Sequence, residues 1–423
     1  MPRSLLFLLA LVAVIARAED EYEQTPILYS QTAPKDAVTL LQRKVSEGKL
    51  KLPRGDAWGL LRVLQKEFNV PDATQVMVFS KTSKQNDLIG PATPRVVYFG
   101  DDAYLGYSVG GSIEVSVIDP ELGPTFYLID PRARDDRRLR FQRDQSCLSC
   151  HGGPFSPDVP GVIVRSVTPG PEGHPIMSQG SRVVDTTTAF EERWGGWYVT
   201  GKHGDAVHQG NVTAEENGES VIIDPKPGQN VSDLGQFFDT DPYPRKTSDV
   251  VALMVLEHQT SVQNILTKAA HSTRRALYMQ QSLQKELGEP VSDVPTGTAA
   301  RIVEHAVEDV LDAILFKDEA VLPKGGIEGG PEFQEAFAAS ARLSKSGRSL
   351  KDLQLLSRLF KYRCSYLVYG ITFQNLPVQI KAPITKRLKE IMTADHAEER
   401  YSYLGDSERN HIHEILSETL SGY

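Results

Sequence analysis

Two cysteines and a histidine stand together at Cys147-Leu148-Ser149-Cys150-His151. Two thiols at this spacing can each add across a vinyl group of a porphyrin, forming two thioethers. The histidine that follows then lies under the iron as an axial ligand. Three other chemistries use paired cysteines. A structural zinc site needs a second Cys or His pair, and the remaining cysteine, Cys364, has no Cys neighbour. A redox dithiol opens a helix after a strand, whereas Gly152-Gly153-Pro154 follows here and discourages a long helix. A simple disulfide is open to any oxidising compartment. The adjacent histidine and an export signal together favour haem attachment. One covalent haem c is expected on Cys147 and Cys150, with His151 as the proximal ligand.

The group on the other side of the iron decides function. Two strong ligands favour electron transfer, and an open position favours catalysis or gas binding. His203 and His208 lie in a glycine-flanked segment, Gly201 to Asn211, where backbone can approach a flat macrocycle closely. Trp194 and Trp197, just upstream, offer surfaces for a haem wall. His258 shares a helical stripe with Val251, Met254, Val255, Val262 and Ile265. Met177 follows His151 by 26 residues and would supply a thioether. Each has a plain structural alternative: core tryptophans, loop histidines, a hydrogen-bonded core His258 and a packed Met177. The six arginines between Arg132 and Arg143 include Arg140 and Arg143, nearest the motif. These two match haem propionates in two-point geometry, the alternative being a solvated stripe or a docking patch for an acidic redox partner. Cys364 falls on one helical face with Leu353, Phe360 and Leu367 and reads as a buried inert thiol rather than an axial thiolate or a reactive thiol.

The elements that must position these groups follow from periodicity. Residues 35–45 and 58–68 carry apolar residues at helical spacing. Short β-rich runs over 75–79, 95–99, 104–109, 112–118 and 125–129 predict an antiparallel meander, which 139–142 and 162–167 could extend. From residue 247 the pattern is helical, with Ser248 and Asp249 as caps of a long helix to about Leu287. Further helices are expected over 299–316, from a capping box at Ser349 to about Val368, over 378–392 and over 406–420. The fold class is therefore α+β: a strand-rich, haem-bearing part at residues 19–246 and an all-α part at 247–423.

Residues 1–18 form a leader: Arg3, twelve apolar residues from Leu5 to Ala16, and an Ala16-Arg17-Ala18 cleavage site. Cleavage near Ala18 moves the formal charge from −9 to −11, because Arg3 and Arg17 leave. An acidic chain disfavours nucleic acid as a partner. No later apolar run exceeds the seven residues from Val250 to Leu256, so no membrane span is expected in the mature chain. A periplasmic or secreted location follows.

Through Cys147, Cys150 and His151 the chain resembles c-type cytochromes as a class. It departs from the small all-helical members in length and in the strand-like sequence before the motif. Without a second such motif it does not look like a di-haem peroxidase. Three longer stretches, Glu192-Arg193-Trp194-Gly195-Gly196-Trp197-Tyr198-Val199-Thr200-Gly201, Leu253-Met254-Val255-Leu256-Glu257-His258-Gln259 and Cys364-Ser365-Tyr366-Leu367-Val368-Tyr369, are similar to large exported single-haem bacterial proteins of unassigned activity. That resemblance implies no reaction. Three functions are compared on the residues. The leading one is electron transfer through haem c, with a redox partner protein. The second is a haem enzyme, a peroxidase or small-oxide reductase, with a small-molecule substrate and a distal pocket. The third is a haem-based ligand-binding or sensing module.

Overall fold

Asp36 accepts from Thr39 N–H ahead of α1 (Ala37–Ser46), and Asp56 accepts from Gly59 N–H ahead of α2 (Ala57–Glu67). Each carboxylate satisfies a backbone donor that the first helical turn leaves free. The computed structural model describes residues 20–133, 139–218 and 220–423. The expected leader at 1–18 and Arg134, Arg137 and Arg138 lie outside the described residues.

The meander then forms as the alternation predicts: β1 (Val76–Val78), β2 (Arg95–Phe99), β3 (Ala103–Tyr107), β4 (Ile113–Asp119), β5 (Gly123–Ile129) and β6 (Gln142–Arg143). The motif follows on α3 (Leu148–His151), then β7 (Arg165–Val167) and β8 (Ser181–Val183) pair as a separate hairpin. The return strand β9 (Trp197–Tyr198) lies beside β1, so the seven-stranded sheet runs β6-β5-β4-β3-β2-β1-β9 and is antiparallel throughout. Residues 162–167 thus extend the hairpin, not the main sheet.

Alternation along the strands divides the sheet into two faces. Val96, Tyr98, Leu105, Tyr107, Val115 and Val117 pack against Leu60, Leu61 and Leu64 of α2 and Val38 and Leu41 of α1. Val97, Phe99, Tyr104 and Ile118 on the opposite face join a second core with α4 (Val250–Leu287). That helix has 38 residues, about 57 Å at 1.5 Å per residue. Asp249 caps it, accepting from Val251 and Ala252 N–H, both at 2.9 Å. Around it stand α5 (Gly297–Ile314), α6 (Pro331–Ala339), α7 (Ile371–Gln374), α8 (Val378–Thr393) and α9 (Asp406–Thr419). One apolar core runs from Val76 in the sheet to Leu420 beyond α9, so the strand-rich and helical parts share it.

Two expectations fail here. The segment 349–368 is not a helix. Ser349 Oγ accepts from Lys351 N–H at 3.0 Å, and Gln354 Oε1 accepts from Ser357 N–H at 2.9 Å and Arg358 N–H at 3.1 Å. These local side-chain bonds compete with helical ones and fold the chain into a tight reversal bridged at Leu353 and Phe360. A 3-10 turn at Tyr366–Tyr369 follows, and Cys364 is fully buried without any helical face. The helix α6 has no counterpart among the expected helices, although Pro331 stands in its first turn, where proline is tolerated.

Candidate cofactor site

A cavity of 540 Å³ is walled on one side by the sheet and on the other by the motif segment. The volume falls within the roughly 300–1,000 Å³ typical of ligand and cofactor sites. The sheet contributes Arg95, Val97, Gly106, Glu114, Ser116, Phe126 and Leu128. These residues pair across strands: Val97 with Gly106, Gly106 with Glu114, Glu114 with Leu128, and Ser116 with Phe126. They occupy the face that α1 and α2 leave free. Leu256 of α4, Trp197 of β9 and the 162–165 segment add to the wall.

The motif reaches this wall through a short chain of caps. Asp144, just after β6, accepts from Ser146 N–H at 2.9 Å and pairs with Lys84, which also donates to Ser146 Oγ at 2.6 Å. The capped turn Gln145–Cys147 runs directly into α3. Leu148 packs against Tyr22, Ile27, Tyr29 and Leu122, which holds the turn from behind. Cys147, Cys150 and His151 then all line the cavity. The three cysteine sulfurs of the chain are unbonded.

The orientation of His151 is fixed by backbone. Its Nδ1 lies 2.8 Å from Gly161 O, and Gly161 N–H donates back to His151 O at 2.8 Å. A carbonyl only accepts, so Nδ1 carries the proton and Nε2 of the neutral ring presents a lone pair. Burial, the largest influence, lowers the imidazole below its ordinary range and keeps the ring neutral. Its face lies against Phe126, with ring centres 4.8 Å apart. The 161–162 segment is tied to α4, where Asn264 Nδ2 donates to Val162 O at 2.8 Å.

The polar part of the wall is cationic. Lys81, Lys84, Arg95 and Arg165 stand there against one carboxylate, Glu114, in a chain whose net charge is −9. Burial pushes Glu114 up, but Arg95 and hydrogen bonds from Gln85 at 2.9 Å and Ser83 at 3.0 Å outweigh it and hold the carboxyl below its ordinary range. Gly106 makes this pair possible, because a Cβ there would strike the Arg95 guanidinium. The Nε–H groups of Arg95 and Arg165 are buried without a partner. Guanidinium groups on an otherwise apolar wall favour an anionic occupant. Carboxylates of a haem, apolar in its body and anionic at one edge, suit this donor set.

The other sequence candidates have definite places. Trp197 lines the cavity and donates from Nε1 to Arg165 O at 2.7 Å. Trp194 is fully buried away from it, donating from Nε1 to Glu257, which also pairs with Arg193. His203 and His208 stand 4.9 Å apart between ring centres, in a box closed by Phe190 and Trp194. Asn230 N–H donates to His203 Nε2 at 3.2 Å, and Gly210 N–H donates to His208 Nδ1 at 3.0 Å. His258 shares a 2.8 Å hydrogen bond with Ser365 Oγ and stacks on Phe316. Burial pushes both His208 and His258 down to about 3. Met177 is 85% exposed on a short turn. Arg143 is committed elsewhere, donating to Thr32 O at 2.8 Å and Tyr29 O at 2.6 Å. Arg140 lines a separate groove with Leu50 and Leu52. Neither arginine lines the motif cavity, because β6 turns this stretch past the sheet edge before the motif begins.

Arg95, Glu114, Arg165 and Gly161 were not singled out from the sequence. Glu114 alternates with Ile113 and Val115 and so reads as solvent-facing, and nothing local reveals that the motif segment covers that face. A glycine inside a strand, Gly106, was the one signal of a close approach. Among the described residues, no group of three or more His, Cys, Asp or Glu side chains is placed to hold a metal ion. Comparisons with protein-family models, curated proteins and solved structures gave no match.

Proposed function

We propose that this chain is an exported c-type cytochrome that passes electrons through one covalently bound haem. The observation that carries the reading is His151: a backbone carbonyl fixes its tautomer, and the residue lines a cavity that both thiols share. Cys147 and Cys150 would bind the macrocycle as thioethers and His151 would ligate the iron. Arg95 and Arg165, which line the cavity where Arg140 and Arg143 do not, would meet the propionates. Phe126, Val97, Trp197 and Leu256 supply apolar wall and exclude water. The haem supplies one-electron oxidation and reduction. The exposed Ser149–Cys150 edge offers a route to a redox partner protein.

Two features weigh against a redox dithiol. The helix after Cys147 has four residues, too short for the dipole that acidifies such a thiol. Burial first, then Asp144 and Glu114, push the Cys147 thiol up to about 11, whereas a reactive dithiol has a depressed one. No helix among the described residues is long and apolar enough to cross a membrane, which agrees with an exported chain freed of residues 1–18.

A potentiometric titration followed by visible absorption tests the reading. The expected result is a single one-electron wave at haem wavelengths. Absorption that stays flat through the titration would contradict it.

A further inference from the structure

Resting on the covalent haem of that reading and not on its electron transfer, we propose that the iron would take a small exogenous anion opposite His151 and no side chain, which adds ligand binding to its redox chemistry. Among the described residues that line the cavity, His151 supplies the one imidazole, and none supplies a thioether. The side chains that could have closed the other face are held elsewhere by specific contacts. His203 and His208 receive backbone N–H donors on their lone pairs inside a packed aromatic box. His258 is locked between Ser365 and Phe316. Bringing any of them to the cavity would break buried hydrogen bonds and leave their donors unsatisfied. Met177 sits on the surface, outside the lining.

Charge sets the class of ligand. The lining holds four cations and one carboxylate, and Lys84 is paired with Asp144, so two haem carboxylates would balance the rest. A ferric porphyrin core adds a unit positive charge. A cavity of 540 Å³ that must also hold a macrocycle leaves place only for something small. Small anions of the azide or nitrite type meet both conditions.

The experiment uses the full exported chain with its haem attached. An alkaline pyridine spectrum first establishes that haem c is present, independently of its axial ligands. The ferric protein is then titrated with azide and followed by absorption and electron paramagnetic resonance. A high-spin ferric signal that azide converts to low spin, saturably and more weakly at high ionic strength, is expected. The Met177→Ala variant should give the same titration. A low-spin signal indifferent to azide, in a protein that passes the pyridine assay, overturns the open position and leaves the haem reading standing. A response that appears only in Met177→Ala overturns it too, by identifying Met177 as the ligand. A ferrous protein that binds carbon monoxide while the ferric one refuses azide overturns the anionic class. A chain without pyridine-detectable haem instead removes the reading underneath.

Discussion

At the scale of single residues, the strongest demand on this fold is the buried pair of Arg193 and Glu257. Both side chains are 2% exposed or less, and Glu257 takes a donor on each oxygen, Trp194 on one and Arg193 on the other. Removing the cation strands a carboxylate in the core. Arg193→Met is therefore expected to destabilise the protein by about 3–5 kcal/mol, and Arg193→Met with Glu257→Gln by much less. Urea unfolding of both variants checks this; equal losses would contradict it. Such pairings also mark what a sequence can tell. That the two thiols and His151 face one place was legible because they lie within five residues. The arginines that meet the cavity were not, because Arg95 and Arg165 reach it through strand register and the hairpin. Arg140 and Arg143 are close to the motif in sequence but are carried away by β6. Trp194 and Trp197 are three residues apart, yet the turn between them sends one to the core and the other to the cavity.

At the scale of elements, α4 organises the site. Its first turns supply Glu257 to Arg193, His258 to Ser365, and Gln259 to Tyr104 at 2.9 Å and Tyr366 at 2.7 Å. The stretches 192–201, 253–259 and 364–369 thus meet in one buried polar seam, joined by Tyr104 from the sheet. One turn later Asn264 holds the carbonyl next to the one that orients His151. Asp249 caps all of this, accepting from Val251, Ala252 and Gly330 N–H. Asp249→Ala should cost about 1–2 kcal/mol, read as a lower urea midpoint with an unchanged slope. An unaltered midpoint would show that the cap is dispensable. This helix was legible from Ser248-Asp249 to Leu287 because periodicity, cap and C-terminal Gly288 agree. The segment from Ser349 was misread because the capping-box pattern also fits a serine turn, and Gln354 then closes a reversal that no periodicity announces.

At the scale of the whole molecule, the strand-rich and helical parts share one core, and their contact carries a titratable group. Asp102, after β2, accepts from Ile371 N–H at the start of α7 at 2.9 Å. Burial first, then Asp101, push its carboxyl up to about 6, against the pull of Ile371 and Lys351. The folded chain therefore holds a proton that the unfolded chain releases between about pH 4 and pH 6. The stabilisation is complete below that window and disappears as pH rises through 6. Wild-type stability should lose up to roughly 2–3 kcal/mol from this group across the window, and Asp102→Asn should flatten that part of the profile. Urea midpoints at several pH values decide it; parallel profiles would contradict the assignment. The α+β division was legible because alternation gives way to helical spacing near residue 247. The shared core was not, since it depends on which sheet face α4 covers. The central claim concerns the whole chain as well, and intact-protein mass spectrometry tests it most directly. Chain exported from cells that attach haem c is compared with Cys147→Ser/Cys150→Ser prepared the same way. The account predicts a denatured wild-type mass equal to residues 19–423 plus one haem, and a double variant without the increment. A wild-type chain at its bare polypeptide mass, or a double variant that keeps the added mass, would contradict it.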